Sequence, residues 1–238
     1  MLNKQADHIV KSFDEELKHL NNIIAEMGGL AEAQLDRAVE CLVRRNSELA
    51  AQVVKDDKRI DNLETEVGSF TVRLLALRQP MAQDLREVVA AIKIASDIER
   101  IGDYAKNIAK RAIVLAQYDP LKPAASIPRM SRLALTIIKD VLDAYAQNDV
   151  RKAQTVWMRD EEVDDMYNSL FRELITYMME DPRNITACTH LMFMAKNIER
   201  IGDYATNIAE IIHFKVEGKE IGEPRPKGSG EGYAQAGS

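Results

Sequence analysis

Cysteine is nearly missing from this chain: Cys41 and Cys188 are the only two in 238 residues, with no CxxC pair. That excludes a disulfide framework and predicts two buried or half-buried thiols in a reducing cytoplasm. Aromatic residues make up only 5% of the chain, while Met, Leu, Ile and Ala supply most of the apolar side chains, a balance that suits helix packing better than sheets. Proline is sparse and absent between residues 7 and 78. No apolar run approaches the roughly 18–20 residues of a membrane span, so no membrane insertion is expected. The N-terminal stretch MLNKQADHIVKSFDEELKHL is too charged for a signal peptide, which predicts a cytoplasmic protein. Basic excess is lacking too. A net charge of −6 argues against a partner read through its phosphates, so no nucleic acid is expected. No P-loop, nucleotide-binding glycine fingerprint or nucleophile motif is present.

What the chain does have is helical periodicity. Leu17, Leu20, Ile24, Met27, Leu35, Ala38 and Leu42 mark a first helix, and Ser47 is a plausible N-cap for the second. The second helix carries the seam Val53, Ile60, Leu63, Val67, Phe70, Leu74 and Leu77. A third, started by Pro80, presents Leu85, Val88, Ile92, Ala95, Glu99 and Gly102. The segment QYDPLKPAASIP, residues 117–128, holds three prolines and reads as a linker. After it the plan recurs, with a sixth helix starting near Asp181-Pro182. No strand alternation is convincing. The expected fold is all-α, two tandem three-helix bundles of six long helices related by pseudo-symmetry. The first repeat spans residues 1–117, a linker 118–127 and the second repeat 128–216; the glycine-rich stretch 217–238 is predicted disordered.

One phrase occurs twice. Residues 98–105 read IERIGDYA, as do residues 198–205, and Asn107-Ile108-Ala109 is echoed by Asn207-Ile208-Ala209. The phrase places Glu99 with Asp103, and Glu199 with Asp203, four residues apart on one helix face. A second pair precedes each: Asp57 with Asp61, and Asp160 with Asp164. If consecutive helices run antiparallel about bends near Pro80 and Pro182, Asp57 faces Asp103 and Asp61 faces Glu99, with Asp160 facing Asp203 and Asp164 facing Glu199. Four convergent carboxylates repel one another at a partly buried site unless a cation lies between them. Hard oxygen ligands suit Mg, Mn, Ca or Fe, and less readily Zn. A Lys or Arg from a neighbouring segment is the other candidate. Arg100 and Arg200 lie about 100° round the helix from Glu99 and Glu199, poor partners for them within one helix. Gly102 and Gly202, beside the acids, most simply permit close helix approach. Glu16-x-x-His19 and Glu210-x-x-His213 match a di-iron ligand pattern but sit away from the acidic repeat.

The doubled IERIGDYA, the segment Gln79-Pro80-Met81-Ala82-Gln83-Asp84-Leu85-Arg86, and Asp57 to Glu64 (DKRIDNLE) together resemble the PhoU family over about residues 7–216. The resemblance implies metal ions, of Fe, Mn, Mg or Zn, held by Glu99, Asp103, Glu199 and Asp203 with Asp57, Asp61, Asp160 and Asp164 opposite. Asp84 belongs to the family's D-L-R segment, whereas its counterpart in the second repeat is Asn184, so the two sites need not be equivalent. It further implies a repressor of the phosphate-starvation response without catalytic activity, coupling the ATPase subunit of a phosphate ABC transporter to a sensor histidine kinase. A homodimer is plausible because apolar seams remain exposed. The competing expectation is a carboxylate-bridged metal enzyme, an oxidase or phosphoesterase.

Overall fold

The computed structural model describes residues 2–222, with side chains from Phe13 onward. Six helical rods are present among the described residues, and no strand. In order they are α1 (Leu2–Arg44), α2 (Ser47–Asp56) with α3 (Lys58–Arg78), α4 (Ala82–Leu115), α5 (Ser126–Gln147), α6 (Val150–Met158) with α7 (Asp160–Glu180), and α8 (Ile185–Glu217). Two short 3₁₀ turns, Lys122–Ala125 and Pro182–Asn184, lead into α5 and α8.

The second rod of each repeat is broken where the sequence suggested one continuous helix. Asp57 stands between α2 and α3, and Arg159 between α6 and α7. Asp57 keeps right-handed helical angles, so the chain bends without reversing. The break therefore falls on or next to the first acid of each motif. The cap of α2 is displaced by one residue: Asn46, not Ser47, accepts a hydrogen bond from the Leu49 backbone N–H at 2.9 Å. Asp149 does the same for Lys152 at 3.0 Å at the start of α6. Pro80 precedes α4 by two residues, because Gln79 takes a left-handed conformation and Met81 an extended one before the helix starts at Ala82. The stretch 223–238, within the segment expected to be disordered, lies outside the described residues. Gly218 ends α8 in the left-handed region at φ 69°.

One apolar core runs through both repeats, from Leu20, Ile24 and Met27 on α1 to Ile201, Ile208 and Ile212 on α8. The most extensive packing is α4 against α8, followed by α1 against α4. Tyr104 and Tyr204, equivalent residues of the doubled phrase, meet at this seam with ring centroids 5.8 Å apart. The seam of α1 matches the periodicity, but Leu77, Leu85 and Ile92 are exposed rather than core-facing. Because α4 packs on α1, α3 and α8 together, its buried face is a broad set including Val88, Ala91, Ile94, Ile98 and Ala105. A single narrow stripe misassigns its edges. Cys41 and Cys188 are free and buried, and burial raises both thiols above their usual range.

Candidate functional site

In the first repeat the acidic motifs converge, and a lysine is among them. Lys106, one turn beyond Asp103 on α4, places its Nζ 2.5 Å from Asp103 Oδ1 and 2.5 Å from Asp57 Oδ2. The one ammonium group thus bridges α4 to the α2–α3 bend. Gln34 of α1 donates to the other Asp57 oxygen at 2.8 Å and to the Gly102 carbonyl at 3.1 Å. With both oxygens engaged, Asp57 is held although only 3% exposed. Burial, the Asp103 and Asp61 charges, and only partial relief from Arg100 push Glu99 up to about 7. Burial also raises Asp61, aided by the charges of Asp57 and Asp103 and opposed by Lys106. Burial alone would lower Lys106, but its hydrogen bonds to Asp103 and Asp57 outweigh that and raise it. Lys106 thus brings Asp57 of the second rod and Asp103 of α4 to one ammonium.

The second repeat has the same carboxylates in a different setting. Lys106 is replaced by Thr206, whose hydroxyl lies 3.1 Å from Asp160 Oδ1 and 3.1 Å from the Gly202 carbonyl. Gln34 is replaced by Ile137, fully buried. The cation here is Lys196, a turn before Glu199, and it reaches Glu199 Oε1 at 2.7 Å from a side chain 38% exposed. Glu199 itself is 7% exposed, and its Oε2 is buried with no hydrogen-bond partner. Burial raises Glu199, opposed by Lys196 and reinforced by Asp203 and Asp164.

Arg100 does reach Glu99, contrary to the helical-wheel argument, whereas Arg200 reaches the second acid of its motif. Arg100 approaches Asp103 at 3.5 Å and Glu99 at 3.6 Å, and Arg200 approaches Asp203 at 3.8 Å. Their long side chains curl back over a turn, a reach that a Cα angle does not capture. Asp84 lies exposed at the start of α4, about 22 Å along the helix from Glu99. The di-iron pattern finds other partners: Glu16 pairs with Arg78 at 2.8 Å and Glu210 accepts the Trp157 indole N–H at 3.0 Å. Among the described residues no three His, Cys, Asp or Glu side chains form a ready metal centre. Sequence reasoning missed Gln34, Lys106, Lys196 and Thr206. A signal for two of them existed, because residues 98–109 and 198–209 differ at one position only, Lys106 against Thr206.

The fold and these clefts define a class: a tandem repeat of three-rod helical bundles, each closing an acidic cleft between its second and third rods. The PhoU domain family model matches residues 24–112 and 127–212, one match per repeat. A phosphate-specific transport system accessory protein PhoU homolog of Caulobacter vibrioides is 55% identical over 222 residues, covering 93% of this chain and 96% of the relative. One from Rhizobium meliloti is 52% identical over 221 residues, covering 92% and 93%. Among solved structures, PhoU from Pseudomonas aeruginosa aligns with a TM-score of 0.84 at 38% identity, covering 87% of this chain and all of that one. The phosphate transport system regulatory protein PhoU from Streptococcus pneumoniae aligns with a TM-score of 0.82 at 29% identity, covering 88% and 99%. This chain belongs to the PhoU family.

Proposed function

We propose that this chain regulates phosphate transport as a negative regulator of phosphate uptake and of the phosphate-starvation response. It acts by binding the ATPase subunit of a phosphate ABC transporter and a sensor histidine kinase, not by turnover, and works in the cytoplasm. The observation that carries the reading is similarity over nearly the whole chain, both repeats included, to proteins named as accessory to phosphate-specific transport. None of the described helices is long and apolar enough to cross a membrane. A homodimer belongs to the proposal, supported by large apolar side chains left exposed at the hairpin ends, Leu77 and Met81 in one repeat and Met179 in the other.

Metal ions at the carboxylates Asp57, Asp61, Glu99 and Asp103, and Asp160, Asp164, Glu199 and Asp203, are part of the same proposal. What supports an ion in the second repeat is one atom, Glu199 Oε2, a buried carboxyl oxygen lacking a donor. A hard cation there would supply the missing counter-charge and fix α7 against α8. The first repeat fits less well, because Lys106 already stands between Asp57 and Asp103.

Deleting the gene and following a phosphate-starvation reporter tests the regulatory role. Expression under phosphate plenty is the expected outcome; a fully repressed reporter in the deleted strain overturns it.

A further inference from the structure

We propose that the junction of the two repeats holds a pocket for a small anionic amphiphile, a molecule with an apolar body and a carboxylate-like head. The site is separate from both acidic clefts and independent of any metal ion.

The pocket lies where α1 and α4 end and where α5 and α8 begin, with the linker as a further wall. Its volume is about 550 Å³, inside the range of about 300–1,000 Å³ usual for small-molecule sites. Leu42, Leu115, Pro120, Leu121, Pro128 and Leu191 supply much of the apolar lining. Pro120 and Pro128 stiffen the backbone on either side of the 3₁₀ turn Lys122–Ala125, so the wall is preformed. Val43 also lines the pocket and is 62% exposed, which leaves an apolar side chain open to a ligand. Residues of both repeats form the lining, so a single occupant touches the two at once.

Charge decides the kind of ligand. The whole chain carries −6, yet the lining sets three guanidinium groups, of Arg45, Arg129 and Arg132, against one carboxylate, of Asp119. Arg129 and Arg132 are exposed and three residues apart on one face of α5. Among the described residues no hydrogen bond or ion pair engages either side chain. Solvated arginines are ordinary on a surface, but Arg45 is not. It sits in the left-handed region at φ 52°, just past the end of α1. Residues with a Cβ avoid that conformation, Asn being the usual exception. The second repeat keeps to the rule, with Asn148 at φ 53° after α5. In the first repeat the position carries an arginine, whose Nη2 donates to the Ala116 and Tyr118 carbonyls at 2.8 and 2.6 Å. Those bonds cover the negative end of α4 and hold the guanidinium at the pocket. Backbone strain of this kind gathers at ligand sites, where the surrounding structure maintains it.

An apolar cavity alone would accept any hydrocarbon; the guanidinium groups select one with an anionic end. A peptide helix, about 10 Å across, would seat only about a single turn in this volume, so a small molecule is the better fit.

Isothermal titration of the full chain with decanoate, decanol and decyltrimethylammonium, each below micelle formation, tests the proposal. Decanoate should bind once per chain, decanol more weakly and decyltrimethylammonium not at all. Arg129→Ala/Arg132→Ala removes two charge-assisted contacts and should weaken decanoate by about tenfold or more, leaving decanol unchanged. Val43→Glu places a like charge in the apolar wall and should abolish decanoate binding. All three positions are exposed, so these variants should fold, and decanoate should raise the melting temperature of the unaltered chain well above its effect on either variant. Decyltrimethylammonium binding as tightly as decanoate, or a decanoate affinity untouched by Arg129→Ala/Arg132→Ala, would overturn the proposal, as would no decanoate binding at all. A dimer in sedimentation that Val43→Glu splits, with no decanoate bound, would make a second copy of the chain the occupant and overturn it too.

Discussion

Burial raises the carboxyl group of Asp97 from its ordinary 3.8 to about 7, with Glu210 adding to the effect and Lys93 opposing it. The residue lies at the α4–α8 seam, and the equivalent place in the second repeat is Asn197. Between about pH 4 and pH 7 the folded protein therefore holds a proton that the unfolded chain has released. Stability falls as pH rises through that window and levels off above it. Asp97→Asn should flatten the slope and leave the protein more stable than the unaltered chain above pH 7, in denaturant titrations with chelator at pH 5 to 8. Glu99 contributes with the same sign, so the slope shrinks without vanishing. A slope unchanged by Asp97→Asn would contradict this assignment. The carboxylates of the two motifs were legible in the sequence because their spacing repeats and their heights match across a bend. The donors that hold them were not. Gln34 comes from a third rod, and which α1 residue reaches a cleft depends on how α1 docks, a tertiary fact that local periodicity does not contain.

At the scale of elements, the glycines of the doubled phrase separate the repeats again. A Cβ on Gly102 would stand 2.9 Å from Ile60 Cδ1, in a fully buried contact with α3, whereas one on Gly202 would meet Val163 at 3.5 Å, an ordinary packing distance. Both substitutions to Ala gain the same helix propensity, about 1 kcal/mol. Gly202→Ala should therefore stabilise by up to about 1 kcal/mol, and Gly102→Ala should fall below it by about 1–3 kcal/mol through overpacking. Urea midpoints of the two variants check this, and equal midpoints would refute it. A charge pair beside the bends has also been inverted between repeats. Arg37 pairs with Asp56 at 2.8 Å, and at the corresponding positions Asp140 pairs with Arg159 at 3.1 Å. Each ties the first rod of its repeat to the broken second rod. The breaks themselves were invisible to sequence reasoning, since Asp57 and Arg159 fall inside unbroken apolar periodicity and neither is proline or glycine.

Across the whole molecule the repeats are joined, not merely strung together. Lys215 of α8 is buried at 5% exposure and approaches Glu87 of α4 at 3.5 Å and the Tyr145 ring of α5 at 4.5 Å. Tyr145 donates to Asn21 of α1 at 2.6 Å, and Asn21 donates to Glu87 at 3.0 Å, so the polar circuit closes through four helices of both repeats. Burial lowers the Lys215 ammonium despite its Glu87 partner. A cation bound between α7 and α8 would stiffen a helix that also carries this circuit and the long seam with α4. The most direct measurement is a phosphate-starvation reporter in cells whose sole copy of the gene carries Glu199→Gln with Asp203→Asn, with protein abundance followed by immunoblot. The account predicts expression under phosphate plenty at normal protein abundance; repression equal to that of the unaltered gene would contradict it.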